Sequence, residues 1–137
     1  MNASEKAKGL EITSKIASIV NLFKEYFPDA KGDLKPWHND PDTINLVDPD
    51  SIDIGFHFPG WSHKIQARSI LIQIRFHSLD EEYRLIGMET AGFNHGGEVW
   101  RLSTIDNWQI EGKSLPYEEI KDKLKLFSRD VFQLFYD

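Results

Sequence analysis

Histidine is the conspicuous reactive side chain of this sequence, present at positions 38, 57, 63, 77 and 95. A metal site needs three or four ligands that converge on one point. His57 and His77 fall on the same face of neighbouring strands, but the expected register holds them ~20 Å apart, too far to share an ion. His57 and His63 bracket Pro59-Gly60-Trp61, which reads as a loop and would let the two rings approach. They are the candidate metal ligands. The competing reading makes each histidine an ordinary surface or hydrogen-bonded side chain. The acidic run Asp40, Asp42, Asp48, Asp50 and Asp53 does not fit a calcium loop. Ile52 falls at the fifth ligand position, no glycine takes the sixth, and Pro59 stands where the bidentate glutamate belongs. Asp-Pro pairs in turns explain the run better.

A second kind of chemistry comes from Gln73, Arg75 and Arg101. Side-chain parity places all three on one side of a sheet, opposite the apolar residues. Pairing Ile74 with Ile86 and Met88 with Trp100 gives a row Asp53, Gln73, Gly87, Arg101, Glu111. Gly87 would leave a bare floor between Gln73 and Arg101, and the arginines would favour a carboxylate or phosphate. The alternative is a solvated face on which Glu89 pairs diagonally with Arg101. Trp37 and Trp61 stand beside His38 and His63, and two such Trp–His loops would clamp a flat ligand; packing over the sheet ends is the competing role.

Other chemistry is excluded. With no cysteine there are no disulfides, thiolate sites, iron–sulfur clusters or cysteine nucleophiles. No Gly-x-Ser-x-Gly, P-loop or Gly-x-Gly-x-x-Gly occurs, and no nucleophile–base–orienter set can be assembled, so no catalytic residue is assigned. A formal charge of −6 and no dense Lys/Arg run argue against nucleic acid. No window approaches the ~20 apolar residues of a membrane span, and the N-terminus lacks a signal peptide's apolar stretch. A soluble, cytoplasmic protein is expected.

The elements that must position these groups are legible from periodicity. The stretch Ala67–Ser78 alternates Ile70, Ile72, Ile74 and Phe76 with Ser69, Gln73, Arg75 and His77, Leu71 being the exception. It predicts a central strand with one buried face. Ser51–Phe58, Glu82–Ala91, Glu98–Thr104 and Trp108–Glu111 read as further strands joined by short turns, with a short one at Thr43–Val47. Ser4–Phe27 predicts a helix through Leu10, Ile12, Ile16, Ile19, Val20, Phe23 and Phe27. Leu115–Tyr136 predicts another, capped by Ser114, with Pro116 in its first turn. Its inward stripe is Ile120, Leu124, Phe127, Val131, Leu134 and Phe135, widened by Phe132 and Tyr136. The 137 residues suit a single α+β domain: an antiparallel five- to six-stranded meander with N- and C-terminal helices on one face.

In overall organisation, and in Lys35-Pro-Trp-His-Asn-Asp40, Phe56-His-Phe-Pro-Gly-Trp-Ser-His63 and Glu98-Val-Trp-Arg101, the chain resembles a small bacterial family of cyanobacterial type. Some members of that family are labelled haem-binding. The resemblance implies a non-enzymatic protein that holds a haem-like group by histidine, with Met88 and Tyr83 as lesser alternatives. Two functions are therefore expected. One is a binding protein taking haem or another planar or anionic ligand through His57, His63, Trp61, Gln73, Arg75 and Arg101. The other is an interaction module without a small ligand, pairing as a homodimer or with a partner through the wide stripe of the last helix.

Overall fold

The computed structural model describes residues 1–37, 50–79 and 82–136. The expected strand Thr43–Val47, His38 and most of the acidic run lie outside them. The elements in chain order are α1 (Ala3–Lys6), α2 (Leu10–Tyr26), β1 (Lys31–Asp33), β2 (Ser51–Ser62), β3 (Ala67–Leu79), β4 (Glu82–Asn94), β5 (Gly97–Ser103), β6 (Gln109–Gly112) and α3 (Glu118–Tyr136). The six strands form an antiparallel meander in the order β1 to β6, and α2 and α3 cover one face. The α+β class and layered architecture are as the periodicity predicts.

The first helix is not continuous. Gly9 adopts φ +91°, a backbone conformation that glycine reaches without a Cβ clash, and it separates α1 from α2. Leu10 is consequently 84% exposed rather than part of the stripe. Ile16, Ile19 and Phe23 are the residues of α2 that point inward. α3 starts at Glu118, later than expected, so Ser114 and Pro116 precede it. The Tyr117 carbonyl accepts the first helical hydrogen bonds from Ile120 and Lys121. Glu118 and Glu119 in the first turn suit the positive end of the helix dipole.

Under the helices, Ile52, Ile54 and Phe56 pair with Ile74, Ile72 and Ile70 as expected. Leu102 faces Ile110, again as expected. The two pairings between them do not hold. Ile74 faces Met88, Ile72 faces Thr90, and Gly92 faces Trp100. A bulge causes the first shift: Arg75 pairs with Gly87 and Phe76 with Leu85, so Ile86 is the extra residue and is 54% exposed. The second follows from Trp100, whose fully buried indole lies against the backbone of β4. A Cβ on Gly92 would stand 2.4 Å from its Cε2. Only glycine fits opposite that ring.

An aromatic cluster joins the layers. Phe23 of α2 stacks on Phe56 of β2 at 3.9 Å between ring centroids and meets Phe127 of α3 edge-on at 5.2 Å. The wide stripe of α3 is used inside the chain: Phe132 packs edge-on against Trp108, and Phe135 against Phe76. Trp108 thus sits at the rim of the core, beneath α3, rather than in the strand stripe. The helices are also tied by the Tyr26 hydroxyl, which donates to Asp130 at 2.6 Å. That bond, then burial, then the charges of Asp130 and Glu25 raise the Tyr26 pKa above its ordinary value.

Two outcomes test this packing. Gly92→Ala is expected to destabilise by about 3 kcal/mol, because the buried indole has nowhere to retreat; urea unfolding followed by circular dichroism measures it. Tyr26→Phe is expected to cost about 1 kcal/mol at neutral pH. A raised folded-state pKa means that the bond's contribution is complete below the unfolded tyrosine pKa. It is lost as pH rises through the higher folded value, so the gap between wild type and Tyr26→Phe closes only in strong alkali.

Candidate ligand site on the open face of the sheet

The face turned away from α2 and α3 carries the polar rows. Register places Asp53, Gln73, Glu89, Ser103 and Gln109 in one row, and Gly55, Leu71, Ala91, Arg101 and Glu111 in the next. A third holds His57, Ser69, Phe93 and Glu98. Gln73, Arg75 and Arg101 therefore do share a face, but not around Gly87. That glycine pairs with Arg75, and the space a Cβ would take is filled by Ile105, whose Cγ1 lies 2.5 Å from the Cβ position. The expected bare floor is not there.

The arginines are matched with carboxylates. Arg75 Nε donates to Glu89 at 2.6 Å, and Arg101 reaches the same Glu89 oxygen at 3.5 Å. Arg101 also holds Glu98 at 2.6 Å. The diagonal Glu89–Arg101 pair that parity allows is present. An ion-pair ladder of this kind has no surplus positive charge to offer an anion.

His57 and His63 share no hydrogen bond, and His57 is held instead by Asp33 and Ser69. Pro59-Gly60-Trp61 is not a loop but lies inside β2, which runs on to Ser62 across an irregularity in its pairing. Between His57 and Ser62 the strand carries three more residues than the β3 segment it faces, so it bows out of register there, and His63 follows in the turn. Among the described residues no cluster of three or more His, Asp or Glu converges on a metal position. His63 and His77 are exposed. His95 faces the Arg68 guanidinium, which donates to its Nε2 at 2.7 Å.

A pocket does exist on this face, built on different residues. Gly55 and Leu71 form its floor, Pro36 and Trp37 one wall, and Phe93 the other, with His57 and Ser69 at one end. Its volume is about 210 Å³. The absent side chain at Gly55 lets the Pro36 wall pack close to the strand: Pro36 Cβ stands 3.2 Å from where a Cβ would sit. His57 Nε2 donates to Asp33 at 3.0 Å, since a carboxylate can only accept, and Nδ1 shares a hydrogen bond with Ser69 Oγ at 2.9 Å. Trp61 is elsewhere, lining a cavity between the ends of the helices and the far arm of β2. Trp37 and Trp61 therefore do not clamp one ligand.

The Trp37 wall is fixed by a buried acid. Asp53 is fully buried and accepts from Trp37 Nε1 at 2.5 Å, from Ser51 Oγ at 2.8 Å and from the Met1 ammonium at 2.8 Å. Asn2 bridges to the Trp37 backbone in both directions, at 2.8 and 2.9 Å. The first residues of the chain and Trp37 thus hang from one carboxylate on β2.

A family model described as a domain of unknown function matches residues 4–137. The chain belongs to that family. No curated protein matches the chain, and no solved structure does. In this domain of unknown function the groups that haem requires do not fit the pocket. Both His57 nitrogens are engaged, His63 is not among the residues lining the pocket, Met88 is fully buried in the core, and the cavity is below the ~300 Å³ at which most ligand pockets begin.

Asp53→Asn keeps the shape but removes the charge facing the Met1 ammonium. It is expected to cost about 2–3 kcal/mol, the range for hydrogen bonds to charged groups. Urea unfolding measures the loss, and the Trp37 indole N–H resonance should move further than that of Trp100.

Proposed function

We propose that this domain is a non-enzymatic small-molecule-binding protein whose ligand presents a flat apolar ring to the open face of the sheet. The carrying observation is an apolar cavity floored by Gly55 and Leu71 between Trp37 and Phe93, on the face that the helices leave uncovered. A cavity of ~150 Å³ can hold benzene, so about 210 Å³ suits one ring or two fused rings. Trp37 and Phe93 offer aromatic walls on either side. The His57–Asp33–Ser69 set supplies a directional polar edge at one end, which would orient a ligand carrying a single donor or acceptor. The paired arginines stand outside this reading. Pairing of two copies through α3 has less support, because Phe132 and Phe135 already pack inside the chain.

Indole and naphthalene are the probes, followed by amide chemical-shift changes on isotope-labelled protein. Saturable shifts are expected at Gly55, Leu71 and Phe93. Phe93→Ala should weaken binding by about two- to tenfold, the equivalent of one aromatic contact, whereas Trp61→Phe should leave it unchanged. Absent shifts, or shifts indifferent to Phe93→Ala, would overturn the proposal. Haemin is the second ligand to add: a Soret shift abolished by His57→Ala would replace the small ring with haem.

A further inference from the structure

Trp61 defines a second concave site, on the opposite side of the molecule from the Gly55 pocket. The far arm of β2, the C-terminal end of α2 and the start of α3 enclose a groove of about 360 Å³. That volume falls within the range of small-molecule pockets. Phe27, Phe58, Ile120 and Trp61 give it an apolar lining, and Trp61 is 43% exposed. Trp61 lines the groove beside the buried Phe27 and the half-buried Phe58. The Pro59-Gly60 step within β2, where pairing to β3 is interrupted between His57 and Ser62, presents it there.

The charges at the mouth are not symmetrical in use. Lys64 is bound to Glu119 at 3.2 Å. Asp29 also lines the groove. Lys123 has no carboxylate within ion-pair distance among the described residues; its ammonium lies 5.9 Å from the centroid of the Phe27 ring. An ammonium over an aromatic groove wall is a partner for an anion whose body is apolar.

We propose that this groove binds an amphipathic organic acid, with an aromatic or acyl body against Trp61 and Phe58 and its carboxylate at Lys123. The site differs from the Gly55 pocket in ligand chemistry, since among the described residues that pocket's lining holds no lysine or arginine and this groove's lining holds Lys123. Neither site depends on the other.

The test uses 2-naphthoate, with neutral 2-naphthamide and acetate as comparison ligands, read at the Trp61 indole N–H signal assigned with Trp61→Phe. Naphthoate is expected to shift that signal saturably and to bind more tightly than naphthamide, while acetate does neither. Lys123→Gln should weaken naphthoate by about three- to fivefold and leave naphthamide unchanged, as befits a partly exposed ion pair. Raising salt to 0.5 M should have a similar effect, on the order of threefold. Lys123 is half-buried on α3 and glutamine keeps most of its apolar stem, so the variant is expected to fold, and its circular dichroism checks this. Equal affinity for naphthoate and naphthamide would overturn the role of Lys123. A naphthoate response confined to Leu71 and Phe93 would overturn the site altogether, while leaving the Gly55 pocket standing.

Discussion

The buried indole of Trp100 sets the geometry on which the rest depends. It lies flat against β4 at Gly92, and its Nε1 donates to the Ile65 carbonyl at 2.8 Å, tying β5 to the turn between β2 and β3. Moving β4 by four residues would return Met88 to the position opposite Trp100, where a side chain would meet the ring. Because side chains alternate along a strand, fixing Gly92 under Trp100 also fixes what lies on the other side. Glu89 comes within reach of both Arg75 and Arg101, and Phe93 comes beside Ser69 and His57. One close contact in the core therefore decides where charges cancel and where an apolar wall stands on the open face.

Asp53 plays the corresponding role at the other edge. A carboxylate that is fully buried must be matched by donors, since desolvating an ion costs several kcal/mol that only partners can offset. Here the partners are Trp37, Ser51 and the Met1 ammonium, drawn from distant parts of the chain. The residues are hydrogen-bonded and packed rather than exposed to a substrate, so the cluster works as a clasp. Its consequence for the pocket is positional: Trp37 is held as a wall over Gly55 by a bond that does not involve the cavity itself.

Much of the fold is legible in the alternation of Ile52, Ile54 and Phe56 against Ile70, Ile72 and Ile74, because two strands joined by a short turn have few registers that bury every large side chain. The β4 register is less legible. Periodicity alone pairs Ile86 with Ile74, and a bulge at Ile86 breaks the alternation without leaving a compositional trace beyond the isoleucine itself. Tryptophan beside glycine was the available signal, since a ring of that size opposite a position without a Cβ satisfies both. The Gly55 pocket had a signal too. Leu71 and Phe93 are large apolar residues at outward positions of otherwise polar faces, and Gly55 lies between them and the edge. Trp37 and Pro36 could not be placed, because tertiary hydrogen bonds to Asp53 and Asn2 rather than local pattern hold that segment. The expected approach of His57 to His63 rested on reading Pro59-Gly60 as a turn, whereas these residues occur within a strand where its pairing is irregular.

The distribution of charge explains why the two concave sites differ in kind. On the open face Arg75 and Arg101 meet carboxylates across and along the strands, in the ladder Arg75–Glu89–Arg101–Glu98. A ligand there gains little from being charged and most from being flat, since the remaining contacts are Trp37, Leu71 and Phe93. On the helix side the lysines belong to α3 and to the turn after β2, where spacing is set by helix packing rather than by strand register. Lys64 finds Glu119 one turn away from Lys123, and Lys123 is left facing an aromatic ring. The difference arises from geometry: strand pairing sets opposite charges side by side at about 5 Å, whereas a helix crossing a sheet leaves gaps between ridges. Under the two proposals, a preference for neutral rings on one face and for acids on the other would follow from that contrast in packing.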